Sequence, residues 1–180
     1  MNLLDLLEAL IKLGLPMVAL SWFIFSWLYG SGEIDRDADR KAISARLKKM
    51  KKSFNKDAIE KPHFIFGKWM KFGGGFYGLA GLWTFAVIEI LDLFRFVFYF
   101  PGIAQLLEDG IISFVVSFLI NQFSNVISAF LWFSYWPAES ILLWILIAYL
   151  GYWTGVELAR RNVEIPIEQW LQKLPIKKTK

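Results

Sequence analysis

The sequence predicts an all-α integral membrane protein, a small bundle of three to four transmembrane helices with one basic amphipathic cytoplasmic helix. Hydrophobic residues make up 56% of the 180 residues, against roughly 45–50% in soluble domains. Charged residues still make up 20%, but 12 of the 20 Lys and Arg lie in residues 31–72 and six more in residues 157–180. Apolar stretches separated by basic segments are typical of chains that cross a membrane.

Residues 1–30 are predicted to form an N-terminal amphipathic turn followed by the first transmembrane helix. The apolar stretch from Leu13 to Tyr29 reaches the required length with the Leu-rich turns before it, and Pro16 is expected to kink or break the helix. The start is acidic, with Asp5 and Glu8, whereas a signal peptide starts with a basic region. An uncleaved anchor is therefore expected.

Residues 31–71 form a basic segment that the positive-inside rule places in the cytoplasm. Within it, Ile43, Leu47, Met50 and Phe54 recur at helical spacing and predict an amphipathic helix. This helix either lies on anionic lipid or packs on the protein's own cytoplasmic face. The residues predicted to contact anionic lipid are Arg40, Lys41, Lys48, Lys49, Lys51, Lys52 and Lys56.

The membrane region, residues 72–157, begins with an apolar stretch over 72–100 that has a glycine stripe and a polar end. Small residues at helical spacing allow close helix packing, which predicts packing at Gly74, Gly78 and Gly81. Charged residues in a membrane segment usually face the protein interior or a hydrated cavity. The predicted intramembrane polar cluster is Glu89, Asp92, Arg95 and Tyr99. It is either an ion, proton or headgroup site, or a structural ion pair that closes the bundle or docks a partner.

The next apolar stretch, over 111–134, has small and amide side chains along one face. Such side chains hold neighbouring membrane helices together, and they predict a helix-packing face made of Ser113, Ser117, Asn121, Ser124 and Ser128. In the alternative interpretation Asn121, Gln122 and Asn125 line a polar path.

The last apolar stretch, over 137–157, has aromatic residues at both ends, typical of the belts at membrane surfaces. It leads into a basic C-terminal tail, residues 158–180. If all three stretches after the cytoplasmic segment cross the membrane, this tail lies outside. If one does not cross, the tail is cytoplasmic, and the stretch 72–100 is the least costly to exclude because it carries charges.

Several classes of function are excluded by what the chain lacks. It has no cysteine and a single histidine, His63, so a disulfide framework, an all-Cys/His zinc site and a cysteine nucleophile are excluded. A phosphate-binding loop, a Rossmann glycine pattern and a His-Glu-x-x-His motif are also missing. No cofactor and no metal are expected.

The glycine stripe, the serine stripe and the aromatic ends give more contact-prone surface than a small bundle can bury, which favours a non-catalytic multi-pass subunit or accessory of a larger membrane complex. Its expected partners are anionic lipids, other membrane subunits or copies of itself, and no nucleic acid. One alternative is transport of an ion, proton or small solute using Glu89, Asp92 and Arg95; a second is an enzyme that acts on lipid. The expected location is a bacterial inner membrane.

Overall fold

The computed structural model describes residues 3–56, 64–98, 111–136 and 140–161 of the chain. Within these residues every regular element is a helix, which confirms the all-helical part of the predicted fold. In chain order the elements are α1 (Leu3–Ala9), a π-helical turn (Leu10–Gly14), α2 (Leu15–Gly30), α3 (Arg40–Lys56), α4 (Phe64–Lys71), α5 (Gly75–Phe98), α6 (Ile111–Phe130), α7 (Trp132–Tyr135) and α8 (Ile141–Arg160).

Two of the described helices are long and apolar enough to cross a membrane. They are α6 over Ile112–Phe130, with mean hydropathy 1.5, and α8 over Ile141–Arg160, with mean hydropathy 1.6. At 1.5 Å per residue each spans about 30 Å, the thickness of the hydrocarbon layer. This pair supports a membrane protein.

Pro16 does not break the first helix. Helical backbone angles continue through Gly14 and Leu15, and the N–H of Leu15 bonds to the carbonyl of Leu10 in a π-helical turn. Pro16 has no N–H to donate to the Lys12 carbonyl four residues earlier. That carbonyl instead accepts a hydrogen bond from Trp83 Nε1 of α5 at 2.9 Å. A side chain from a neighbouring helix thus satisfies the group that proline leaves open.

The helices α2 and α8 form the closest pair in the fold, and they run parallel. A Cβ placed on Gly151 would lie 2.6 Å from the carbonyl oxygen of Gly14, and one placed on Gly155 would overlap Ser21 Oγ and the Val18 carbonyl. Only glycine allows backbones this close. The fully buried Ser21 hydroxyl donates to the Met17 carbonyl of its own helix, so it needs no partner from α8.

The chain leaves α2 through a glycine turn and enters α3 through an acidic cap. Gly32 adopts φ +71, and the Glu33 N–H bonds back to the Leu28 carbonyl, as in the Schellman ending of a helix. At the start of α3, Asp39 Oδ1 accepts from the Ala42 N–H at 2.7 Å. Such a cap is worth about 1 kcal/mol, and it determines where α3 begins.

Two apolar side chains of α3 lie in the protein core. Ile43 and Leu47 are buried, and Ile34 of the preceding loop is buried with them. Arg46, on the outer side of α3, pairs with Glu33 at 2.7 Å. The first half of α3 is therefore held against the ends of α2 and α8.

A second glycine turn separates α4 from α5. The N–H groups of Gly73 and Gly74 bond to the carbonyls of Met70 and Trp69, and Gly73 has φ +111, which ends α4 in a Schellman motif. Trp69 Nε1 then donates to the Gly75 carbonyl at 2.8 Å and ties the two helices together. Along the chain, α4 and α5 run antiparallel to α2, since Trp69 contacts Phe25 and Trp83 reaches back to Lys12.

The core is aromatic and lies where α2, α4, the start of α5, α7 and α8 meet. Phe25 packs edge-on against Tyr152 and Trp69, while Phe76 packs against Trp132 and Tyr152. Edge-to-face aromatic pairs add roughly 0.5–1.5 kcal/mol each beyond burial. Trp132 and Trp69 are among the largest fully buried side chains.

Some of the sequence predictions fall outside the described part of the chain. They concern Tyr99, the side chains of Phe54 and Lys56, and all but the first residues of the tail; the single histidine, His63, lies outside it as well.

Candidate functional site

Polar side chains from α5 and α6 meet in one cluster, which we call the amide–carboxylate cluster (Glu89, Asp92, Gln122 and Asn125). Asn125 Nδ2 donates to Glu89 Oε1 at 3.1 Å and to Asp92 Oδ2 at 2.8 Å. Gln122 Nε2 donates to Glu89 Oε2 at 3.2 Å. The sequence analysis assigned these residues to two separate helices, and the structure brings them together.

Helical spacing explains why the cluster forms. Glu89 and Asp92 are three residues apart, as are Gln122 and Asn125, so each pair lies on one face of its helix. The two helices meet through small residues nearby, because a Cβ on Gly81 would lie 2.9 Å from the Ala129 carbonyl. Close contact there brings the amides within hydrogen-bonding distance of the carboxylates.

The cluster carries a net negative charge with one nearby cation. Arg95 Nη1 lies 3.7 Å from Asp92 Oδ1, and the Arg95 side chain is 76% exposed. An exposed pair of this kind contributes little to stability, about 0–1 kcal/mol. Two carboxylates therefore share one loosely held guanidinium and two amides.

A cavity of about 610 Å³ opens beside the cluster between α5 and α6. Its polar lining comes from Glu89, Asp92, Arg95, Ser117, Asn121 and Gln122, and its apolar lining from Leu93, Phe96, Phe114 and Phe118. The arrangement can accept hydrogen bonds or a positive charge at its carboxylate end, in apolar surroundings.

The serine stripe predicted on α6 faces mostly away from the rest of the chain. Ser113, Ser117, Asn121 and Ser124 are exposed, and only Ser128 is partly buried. The α5 contact instead uses the neighbouring face, with Gln122, Asn125 and Ala129. The stripe borders the cavity through Ser117 and Asn121.

The predicted glycine stripe of α5 is divided between packing and a turn. A Cβ on Gly78 would lie 3.0 Å from the Phe72 carbonyl oxygen, and Gly81 packs on α6. Gly74 lies in the turn before α5 with φ +67 and is not on the packed face of that helix.

The basic residues of α3 differ in their surroundings: Arg40 contacts an aromatic ring, and the lysines are exposed or half-buried. The guanidinium of Arg40 lies 4.7 Å from the ring centre of Trp153 on α8, a cation–π geometry. Lys41, Lys48, Lys49 and Lys52 are exposed, and Lys51 is half-buried near Gly73.

Sequence reasoning missed the most closely packed residues in the molecule. Gly14, Ser21, Gly151 and Gly155 form the α2–α8 contact. The signal was present, because Gly151-x-x-x-Gly155 in an apolar helix is the small-xxx-small pattern of membrane helix pairs.

The described residues contain no group of three or more His, Cys, Asp or Glu side chains that could hold a metal ion. The amide–carboxylate cluster supplies two carboxylates and stands as a polar contact site. Comparison with known protein families, curated proteins and solved structures finds no match to this chain.

Proposed function

We propose that the chain is a non-catalytic, multi-pass membrane protein that works as a subunit or accessory of a larger membrane complex. The observation that carries this proposal is the face of α6 beside the acidic cavity, which the other described residues leave largely uncovered. Only 11% of the apolar window of α6 is buried, against 39% for α8. A second protein helix covers such a face in the assembled complex.

The chemistry of this face suits a helix partner. Serine and asparagine side chains let backbones approach and form interhelical hydrogen bonds, and four of them are exposed on α6. Beside them, Glu89 and Asp92 gain from further hydrogen-bond donors or a cation, because charge in apolar surroundings is costly without partners. Either another subunit or a second copy of this chain supplies these groups.

The proposed orientation follows from the parallel run of α2 and α8. Their ends lie together, since Arg160 Nη2 donates to the Ala38 carbonyl at 2.7 Å. Residues 31–56 and the start of the tail then share one side of the membrane, the cytoplasmic side by their positive charge. This supports the cytoplasmic-tail alternative, here in a bacterial inner membrane.

The same geometry limits the number of crossings. The chain starts α8 on the far side. Ten residues join it to α6, and four of them are helical in α7, so this link is too short for a return across the membrane. We therefore place three complete crossings in α1–α2, α5 and α8. In this arrangement α6 enters from the far side, ends within the membrane beside Gly81 of α5, and the link with α7 returns the chain to the far side. In intact cells, a thiol reagent that does not cross the membrane should fail to label the Arg161→Cys and Ser44→Cys variants from the outside.

Cross-linking tests the proposed contact directly, because the chain has no native cysteine. A Ser117→Cys variant in native membranes should form a specific cross-link to a partner or to a second copy. Leu142→Cys on α8 is the control, since Leu142 is 79% exposed and does not line the acidic cavity. Native mass spectrometry of the same sample identifies the cross-linked species.

Equal cross-linking at the two positions would indicate random collisions and contradict the proposal. A strictly monomeric species with no partner at Ser117 would also contradict it. Neutralising the acids with Glu89→Gln and Asp92→Asn should weaken the specific cross-link at least several-fold.

The cavity supports a second candidate, a component that transports an ion, a proton or a small solute. Its volume of about 610 Å³ and its carboxylate lining suit a hydrated site for a cation. In this case the Glu89→Gln and Asp92→Asn variants should abolish flux into liposomes and leave the fold intact. A wild-type protein without flux would remove this candidate.

A further inference from the structure

A second charged region lies at the junction of α3 and α8, far from the amide–carboxylate cluster. Asp39 caps α3 and so places Arg40 at the first position of that helix, with its guanidinium over the ring of Trp153. On α8, Arg160 and Arg161 follow within two turns of Trp153. Three guanidinium groups therefore gather at one end of a helix long and apolar enough to cross a membrane.

The charges at this junction do not cancel. Glu157 pairs with Arg160 at 3.5 Å and with Arg161 at 2.9 Å, so one carboxylate is divided between two guanidinium groups. Arg36 adds another guanidinium at this junction, since its Nη1 donates to the Arg160 carbonyl at 3.4 Å, so basic groups outnumber the carboxylates of Asp39 and Glu157 among the described residues that line the junction. Arg160 Nε is buried and has no hydrogen-bond partner among the described residues. Unpaired buried N–H groups are uncommon, and an oxygen ligand would satisfy this one.

Two adjoining clefts open between these side chains. One, of about 410 Å³, is lined by Arg40, Arg161, Glu157, Trp153 and an apolar row of Leu150 and Leu158 with Thr154 between them. The other, of about 350 Å³, is lined by Asp39, Arg40, Trp153, Val156, Glu157 and Arg160. Leu150, Thr154 and Leu158 are four residues apart, so they form one line along α8 toward its centre.

The combined shape is amphiphilic, with cations at one end and an apolar row leading from them. Guanidinium groups bind phosphate oxygens with charge-assisted hydrogen bonds. Aromatic residues such as Trp153 commonly lie at the level of lipid headgroups. An apolar row one side chain wide suits a single acyl chain.

We propose that this junction is a binding site for the phosphate of an anionic phospholipid. The phosphate binds between Arg40, Arg160 and Arg161, and one acyl chain follows Leu150 and Leu158. This lipid site is separate from the proposed subunit contacts at α6. It would hold α3 at the membrane surface through one bound lipid, in addition to any contacts that the lysines of α3 make.

Native mass spectrometry in detergent tests the site with phosphatidylglycerol and phosphatidylcholine as probes. The wild-type chain should retain one phosphatidylglycerol in preference to phosphatidylcholine. The double variant Arg40→Gln with Arg161→Gln should lose at least tenfold in phosphatidylglycerol affinity. The control, Lys48→Gln with Lys52→Gln, removes the same charge from exposed positions of α3 outside both clefts and should change it less than twofold.

Equal losses in the two double variants would show general charge attraction and overturn the site. Unchanged binding in the arginine variant would overturn it as well. A third variant, Leu150→Ser, tests the acyl row and should weaken phosphatidylglycerol several-fold while leaving any inorganic phosphate binding unchanged. If millimolar inorganic phosphate displaces the lipid and Leu150→Ser has no effect, the site takes free phosphate and the lipid assignment is overturned. Circular dichroism confirms that each variant is folded.

Discussion

The α2–α8 pair and the α5–α6 hairpin are both built from apolar helices that meet through small residues. Their surroundings differ: the first contact is buried, and the second lies beside a polar cavity. In the first pair, glycines bring two backbones into contact and the surrounding side chains are buried. In the second, the contact at Gly81 and Ala129 leads into amides, carboxylates and an open cavity.

This difference indicates two tasks within one fold. Close backbone packing fixes the position of α8 against α2 and gives a rigid centre. The hairpin leaves its amide–carboxylate cluster half-buried and most of α6 exposed, including Phe123, which is 70% exposed. Under the proposed function, the hairpin is the surface that meets a partner.

The largest expected effect is in the rigid pair. Gly155→Ala places a methyl group where Ser21 and the Val18 backbone already lie, so the helices must separate. Overpacking against backbone costs about 3 kcal/mol, and we expect that loss in the free energy of unfolding, measured in mixed micelles. Gly30→Ala is the matched control, because nothing lies within 4 Å of its added Cβ. A small effect at Gly155 would mean that the two helices are not in close contact.

A middle-sized effect is expected in the hairpin. Asn125→Ala removes the amide that bonds both Glu89 and Asp92, which should cost about 1–2 kcal/mol in the free energy of unfolding. Asn121→Ala, about one turn away on the same helix and exposed, should cost less than about 0.5 kcal/mol. Similar values for the two variants would contradict the role of Asn125 as the link between α5 and α6.

The smallest effect is expected at the joint between the two regions. Trp83→Phe removes the hydrogen bond to the Lys12 carbonyl, worth about 0.6 kcal/mol for a bond between membrane helices. The measurement compares the free energy of unfolding of the Trp83→Phe variant with that of the wild-type chain. Equal free energies of unfolding would mean that the bond from Trp83 to the Lys12 carbonyl does not stabilise the fold.

The helices themselves could be predicted because hydrophobic length and spacing are local properties. The stretches 72–100, 111–134 and 137–157 correspond to α5, α6 and α8 within a few residues at most of their ends. The charged residues on α5 were also identifiable, since Glu89 and Asp92 interrupt an apolar run.

The pairing of helices could not be predicted from the same patterns. A stripe such as Ser113 to Ser128 shows that a face suits contact, but several partners would satisfy it equally. The contact of Gly14 with Gly151 joins the two ends of the chain, and no periodicity reports so distant a pair. For α3, the burial of Ile43 and Leu47 depends on the position of α8, which the sequence alone leaves open.

The parallel contact between α2 and α8 also has a consequence for the order of events during synthesis. The helix that carries Gly14 and Ser21 is made about 135 residues before the one that carries Gly151 and Gly155. At about 5–20 residues per second, the first helix waits on the order of ten seconds for its partner. During that time the close-packed face of α2 is uncovered. The rate of translation therefore determines how long the unfinished chain can form non-native contacts through this face.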